Sequence, residues 1–262
     1  MNVVQRVGRA WWPPLVFGVA VLVIWEALLA ATDPEGFVLP PPTDIVSAIG
    51  EDWSVIWQAS RVTGFVILTG LGFGILVGVV GALLVTRFRT ANETLTPLAI
   101  AINAIPIIAL APVFNNWIGL TKPESNQAVV VLLVFFPVFI NTAKGLTQVS
   151  YDQVELMRSY AASEWTIVAK LRIPNALPYF FTALKIVASL AVIAAIVAEY
   201  FGGRQDALGP IITQNAGLAR YDTAWAAVVA GSVIGIGLYG IAVVAERLVM
   251  PWHHESEGET SA

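Results

Sequence analysis

Apolar residues run along this chain in long blocks broken by short polar stretches, and most blocks are long enough to cross a bilayer. A helix needs about 20 mostly apolar residues to traverse the hydrocarbon core. The stretches that meet or approach this length are Trp12–Ala31, Val62–Thr86, Leu95–Leu120, Ala128–Thr142, Tyr179–Ala198 and Trp225–Met250. They predict an all-α membrane protein: a polytopic bundle of about six transmembrane helices in one domain over 12–250. A short segment (1–11) precedes it and a polar tail (251–262) follows. The first stretch is longer than a secretory signal core and has no small-residue cleavage site after it, so it reads as a retained span. The fourth is the shortest and merges into polar sequence.

Between the first two spans, Leu39-Pro40-Pro41-Pro42 forms a stiff extended segment. Thr43 or Asp44 can then cap a short helix through Ile45, Val46, Ile49 and Trp53, whose apolar face and tryptophans suit the membrane interface. Between the fourth and fifth spans lies a longer polar stretch, 143–178. Asp152 is a candidate helix start with Glu155 three residues on, the spacing of a capping box. Val154, Met157 and Ala161 line one face and Glu155, Arg158 and Ser159 another. Ser163 starts a second short helix carrying Trp165, Val168 and Leu171, which Pro174 is expected to end. This two-helix elbow reads either as a connector packed on its own bundle or as a ridge offered to a soluble partner, with Arg158 and Ser159 as polar contacts.

Basic residues orient the bundle. With the amino terminus inside, the inner segments hold Arg6, Arg9, Arg87, Arg89, Lys144, Arg158, Lys170, Arg172, Lys185 and Arg247, against Arg61, Lys122, Arg204 and Arg220 outside. Both termini and the elbow are then expected in the cytoplasm. The first outer loop is acidic, with Asp33, Glu35, Asp44, Glu51 and Asp52.

Within the spans, Gly70, Gly74 and Gly78 recur at four-residue spacing, as do Gly231 and Gly235. Small residues so placed allow close helix approach, either inside one bundle or between two copies. Pro106, Pro112 and Pro137 interrupt the third and fourth spans and free backbone groups that need new partners. Asn103, Asn115, Asn116 and Asn141 lie beside these breaks, so the region reads as either a bent, hydrated pathway or an ordinary kinked bundle. Asn103, Asn141 and Glu199 are the candidate pathway-lining residues. Glu26 and Glu199 sit near the outer ends of their spans, where snorkelling to headgroups is the cheaper alternative to a proton- or substrate-handling role.

Composition removes other classes. Of 262 residues, 57% are hydrophobic and only 12% charged, with a mean hydropathy of +0.74, against about 25% charged in an average soluble domain. The net charge of −4 argues against nucleic-acid binding. There is no cysteine, no Gly-rich phosphate loop ending in Lys-Ser or Lys-Thr, and no His-Glu-x-x-His helix or Gly-x-Ser-x-Gly elbow. His253 and His254 stand together in the polar tail and read as solvated. No metal site and no resident cofactor are expected. A secondary transporter or channel independent of ATP remains an alternative, but it calls for ionisable groups at mid-membrane; an intramembrane enzyme calls for a catalytic cluster that is not evident.

The elbow resembles the cytoplasmic signature of ABC importer permeases, the binding-protein-dependent inner-membrane component family: Glu-Ala-Ala, three residues, Gly, nine residues, Ile, one residue, Leu-Pro. Glu155 holds the glutamate position, Leu156-Met157 replace the alanines, Ala161 stands for the glycine, and Leu171 and Ile173-Pro174 complete the spacing. Ala161 is expected to tolerate the bend in a right-handed conformation. The Leu39–Pro42 run, Pro106 through Ala111-Pro112, Phe135-Phe136-Pro137 with Asn141-Thr142, Leu177-Pro178 before Leu184-Lys185, and Ala198-Glu199-Tyr200 are similar to the nitrate, sulfonate and taurine branch. The resemblance implies nutrient uptake across a prokaryotic plasma (inner) membrane. Two permease copies would form the pathway, each docked through its elbow to a cytoplasmic ATP-binding subunit that uses ATP and Mg, with an external solute-binding protein delivering the substrate. It implies that Glu155 anchors the coupling helix, Ala161 sits at its bend and Pro174 ends the loop. A sulfonate, nitrate or thiamine-pyrimidine precursor is the implied substrate range. The spans are poor in fixed cations, which gives anions no added support.

Overall fold

The computed structural model describes residues 3–32 and 39–251. Asp33, Glu35, His253 and His254, and the side chains of Arg6, Arg9 and Arg89, lie outside the described residues.

The described residues are helical wherever they are regular. Helix α1 (Val3–Thr32) contains the first apolar span, Trp12–Ala31, none of which is buried by the rest of the chain. Helix α2 (Pro42–Glu51) begins earlier than a Thr43 or Asp44 cap allows, because proline's fixed φ is ready-made for a first helical position. Its first turn is satisfied from outside: Glu26 of α1 accepts the Thr43 hydroxyl at 2.7 Å and the Thr43 N–H at 3.3 Å. Glu26 therefore fastens the outer loop to the first span.

Helix α3 (Trp53–Thr86) is one continuous rod of 34 residues, starting nine residues before the expected Val62. Ile56, Ala59, Thr63, Val66, Ile67, Gly70, Gly74, Gly78 and Ala82 are buried along it at helical spacing, so one face is set from the first turn onward. Helix α6 (Pro123–Thr147) likewise outruns the expected Ala128–Thr142, with Ser125 and Asn126 buried in its first turns. Pro137 lies inside it, and Asn141 Nδ2 donates to the Pro137 carbonyl at 2.8 Å.

The expected third span is not one helix. Helix α4 (Arg89–Asn103) and the segment Ile107–Ile118, made of a 3₁₀ turn and helix α5 (Ala111–Ile118), meet at a bend of 77°. Pro106 has no N–H to continue α4 and restricts Ile105, while Pro112 takes a first-turn position where a missing N–H costs nothing. The two prolines start a new helix instead of kinking an old one.

The core is built where α3 and α6 meet helix α9 (Ile173–Phe201). Val66, Ile67, Val130, Val134, Val138, Ala183, Val187, Ala191, Ala194 and Ala195 form its buried centre. A Cβ on Gly70, Gly74 or Gly78 would fall 2.6–2.9 Å from Val130, Val134 or Val138 of α6. The glycine spacing therefore serves contact within one bundle. Gly231 of helix α11 (Tyr221–Val249) approaches α9 as closely, a Cβ there falling 2.7 Å from Ile196, whereas Gly235 meets Val192 at an ordinary contact of 3.6 Å. Lys185 of α9 pairs with Glu246 of α11 at 2.9 Å, both largely buried. Helix α10 (Leu208–Gly217) packs between α9 and α11 through Leu208 and Ile211.

Candidate functional site

Helix α7 (Tyr151–Ser159) forms the first arm of the elbow. Its cap is Ser150, whose Oγ accepts the Gln153 N–H at 3.3 Å. Asp152 therefore lies inside the first turn, where its charge suits the helix dipole. The expected capping box does not form, since Glu155 is two positions too far along. Glu155 is exposed.

The arm ends in a Schellman motif. The Ala162 N–H reaches the Met157 carbonyl at 3.0 Å and the Ala161 N–H reaches the Arg158 carbonyl at 2.9 Å. This closure requires the intervening residue to be left-handed, and Ala161 has φ +55°. The expectation of a right-handed bend is thus overturned, for a geometric reason: the 6→1 bond closes only through a residue with positive φ. The resembled signature's glycine at this position is the residue that meets that demand without strain.

The second arm, α8 (Glu164–Ile167), is capped by Ser163 as anticipated, its Oγ accepting the Thr166 N–H at 3.2 Å. Pro174 does not end it. A single π turn over Val168–Arg172, closed by the Ile173 N–H on the Val168 carbonyl, carries the helix directly into α9, with Pro174 in the first turn beyond it. The wider turn absorbs the missing proline donor, so the elbow and the fifth span are one mechanical element.

Arg158 bridges the two arms, its Nη2 lying 2.9 Å from Glu164 Oε1. Both side chains are more than half exposed (57% and 59%), so the pair orients the arms more than it stabilises them. Ser159 Oγ donates to the Leu156 carbonyl at 2.7 Å. Around these, Tyr151, Leu156, Tyr160 and Trp165 are 76%, 58%, 81% and 76% exposed. The root of the elbow is tied down by residues that motif reasoning did not single out. Asn175 Nδ2 donates to the carbonyls of Gly145 and Gln148, and Tyr179 Oη donates to Gln148 Oε1 at 2.9 Å. These bonds satisfy carbonyls at the end of α6, and an asparagine immediately after a first-turn proline was the available signal.

Glu199 does not snorkel. It is 3% exposed, and its Oε2 accepts the Thr63 hydroxyl at 3.1 Å and the Gly209 N–H at 2.9 Å. Thr63 Oγ1 in turn accepts the Leu208 N–H at 2.9 Å. The carboxylate therefore sits on the positive end of α10. A Cβ on Gly209 would lie 2.5 Å from Glu199 Cβ, which is why the helix can start so close. Asn126 Nδ2 donates to the Gly202 carbonyl at 2.9 Å. Glu199 Oε1, Asn126 Oδ1 and both polar atoms of Asn115 are buried without a protein partner.

Of the other candidates, Asn103 is exposed at the end of α4, and Asn141 is half-buried and spent on its own helix. No hydrogen bond joins Asn103, Asn141 and Glu199 to one another among the described residues. Beyond the spans, Arg204 hydrogen-bonds Asp206 at 2.7 Å and holds its carboxyl down at about 2. A cavity of about 660 Å³ opens beside α2, lined by Glu26, Asp44, Glu51 and Asp222. No cluster of three or more metal-ligating side chains exists among the described residues.

A bundle of long apolar helices with a capped two-arm elbow continuous with one span is the architecture of a multi-pass membrane protein. The family comparison agrees: residues 70–251 match the model of the binding-protein-dependent transport system inner membrane component, and the chain belongs to that family. It is a transmembrane permease subunit of an ABC importer. It is 32% identical to the formylaminopyrimidine transport permease protein of Halalkalibacterium halodurans, across 91% of this chain and 95% of that one. It is 27% identical to the riboflavin transport system permease protein of Chloroflexus aurantiacus, across 95% and 94%. It is 24% identical to a putative aliphatic sulfonates transport permease protein of Bacillus subtilis, across 97% and 93%. The fold is shared with the inward-facing MetNI methionine ABC transporter, at a TM-score of 0.58 and 18% identity over 74% of this chain and 94% of that chain.

Proposed function

We propose that the elbow, residues 150–173, docks into a cytoplasmic ATP-binding subunit and transmits its motion to the translocation pathway. The observation that carries this reading is the combination of a capped, Schellman-closed helix with exposed Tyr151, Leu156, Tyr160 and Trp165. Exposed aromatic and apolar side chains on a rigid helix suit a helix-in-groove contact. The π turn supports it further, since a push on α8 is carried into α9 without a flexible joint. ATP and Mg are used by the partner; this chain binds the partner through Glu155, Arg158 and Ser159 together with the exposed apolar residues. Both termini and the elbow face the cytoplasm, and the carboxylate-lined outer face receives an external solute-binding protein. A second copy of the permease completes the pathway, consistent with a first span left unburied by its own chain.

The substrate is a small heteroaromatic nutrient of the pyrimidine kind. The support is twofold: the formylaminopyrimidine relative, and a lysine in α9 already paired with Glu246, which leaves little fixed positive charge there for an anion.

The test is Arg158→Pro, which breaks α7 at a typical cost of about 3 kcal/mol, with Leu156→Glu as a milder variant that spares the helix. Both chains should insert and be recovered from the membrane, while binding-protein-stimulated ATP hydrolysis and solute uptake are lost. Uptake and stimulation at the wild-type level in both variants would show that the elbow is not the coupling element.

A further inference from the structure

We propose that the crevice between the end of α3 and the second arm of the elbow is a binding site for a phosphate-bearing anion, the headgroup of an anionic membrane phospholipid or free phosphate. The crevice has a volume of about 350 Å³. Leu83, Leu146, Val168 and Ile173 form its apolar walls, while Arg87 and Arg172 line it with Thr86, Glu164 and Trp165.

Charge accounts for the choice of ligand. Arg87 lies over the Phe88 ring at 5.8 Å, and neither Arg87 nor Arg172 forms an ion pair with a carboxylate among the described residues. The one carboxylate in the lining, Glu164, is held by Arg158 at 2.9 Å. The crevice thus offers two guanidiniums with no ion-pair partner among the described residues, against one carboxylate, Glu164, whose charge Arg158 offsets. Guanidinium forks match phosphate oxygens with paired hydrogen bonds.

Position accounts for the source. The crevice lies where two spans emerge, with an indole at its rim and apolar walls below, so a phosphodiester held by the arginines can leave its acyl chains against Leu83 and Ile173. A free phosphate would use the arginines and leave those walls unfilled. Occupancy would brace α8 against α3, linking the leaflet's composition to the element that carries the push. This consequence rests on the coupling role of the elbow; the binding itself does not.

The test uses the permease–ATPase complex purified into vesicles of equimolar phosphatidylcholine and phosphatidylglycerol, and separately into phosphatidylcholine alone. Lipid retained after detergent extraction is read by native mass spectrometry, and binding of inorganic phosphate is read by equilibrium dialysis on the phosphatidylcholine sample. The variants are Arg87→Gln with Arg172→Gln, the charge-conserving Arg87→Lys with Arg172→Lys, and Leu83→Trp, which fills the crevice but keeps both arginines. We expect preferential phosphatidylglycerol retention that weakens on the order of 10- to 30-fold in the glutamine variant, weakens less in the lysine variant, and also falls in the tryptophan variant. Loss of inorganic phosphate binding in the glutamine variant, without any lipid preference, assigns the site to free phosphate. Retention that is indifferent to all three substitutions, with no arginine-dependent phosphate binding, overturns the proposal. ATPase co-purification and binding-protein stimulation are scored on the same samples, so a failure of the coupling role is seen separately from a failure of this site.

Discussion

Ala161→Gly should make the elbow more stable, although it removes a methyl group from an exposed residue. At φ +55° the alanine Cβ crowds the following carbonyl oxygen, a strain of about 1–2 kcal/mol. Glycine is free of that strain but surrenders about 0.4–1 kcal/mol more conformational freedom on ordering. The midpoints of the two ranges leave roughly 0.8 kcal/mol in favour of glycine. The Ala162 N–H reports the motif directly, because its 3.0 Å bond to Met157 exists only while residue 161 is left-handed. If exchange of that amide proceeds by local opening, it should slow by roughly two- to fivefold in the glycine variant. Ala161→Val, β-branched where φ is positive, should accelerate it. Hydrogen exchange followed by mass spectrometry on the reconstituted complex reads both. Equal exchange in wild type and both variants, or acceleration by glycine, would refute the account of a strained Schellman closure.

Other substitutions test the packing. Gly74→Ala places a Cβ 2.7 Å from Val134 Cβ and 2.9 Å from the Val131 carbonyl oxygen, whereas Gly72 has nothing within 4 Å. The first should destabilise the detergent-solubilised protein by about 1–3 kcal/mol, and the second should be neutral or stabilising by about 0.5–1 kcal/mol; thermal unfolding that ranks them equally contradicts close α3–α6 contact. Glu199→Ala strips the acceptor from the Thr63 hydroxyl and the Gly209 N–H, at a cost of about 1–3 kcal/mol per orphaned group. Glu199→Gln keeps one acceptor oxygen and should recover most of that loss in the same melt. Asp206 has its folded-state pKa lowered from 3.8 to about 2 by Arg204, so its contribution is present above the unfolded value and is lost as pH falls through that window. The stability curve of Asp206→Asn should meet that of wild type at the acid end and lie below it at neutral pH.

Much of the architecture is a local property of the chain. The blocks Trp12–Ala31 and Trp225–Met250 declare spans by length and hydropathy alone, because lipid selects each helix individually before any packing. Ser163 declares a cap because the preference belongs to a serine hydroxyl three residues from a free N–H. The glutamate-to-proline spacing of the elbow places the loop within its family. Residues whose state depends on a distant neighbour were not legible in this way. Asp152 has the composition of a cap, but Ser150 holds that place because α6 ends at Thr147 and the chain must turn before Tyr151. Pro174 has the composition of a terminator, yet a π turn upstream lets the helix pass through it.

Sequence alone thus determined that the chain is a membrane bundle, roughly where it crosses, and that a capped elbow interrupts it. Those outcomes follow from matching one segment at a time to lipid or water. The tertiary structure decided the rest: the 77° break at Pro106, the left-handed Ala161, the valines that the α3 glycines meet, and the burial of Glu199 beneath α10. Each is set by what packs against the residue, and a carboxylate near the end of an apolar run is equally compatible with headgroups or with a helix amino terminus until the neighbouring helix is in place.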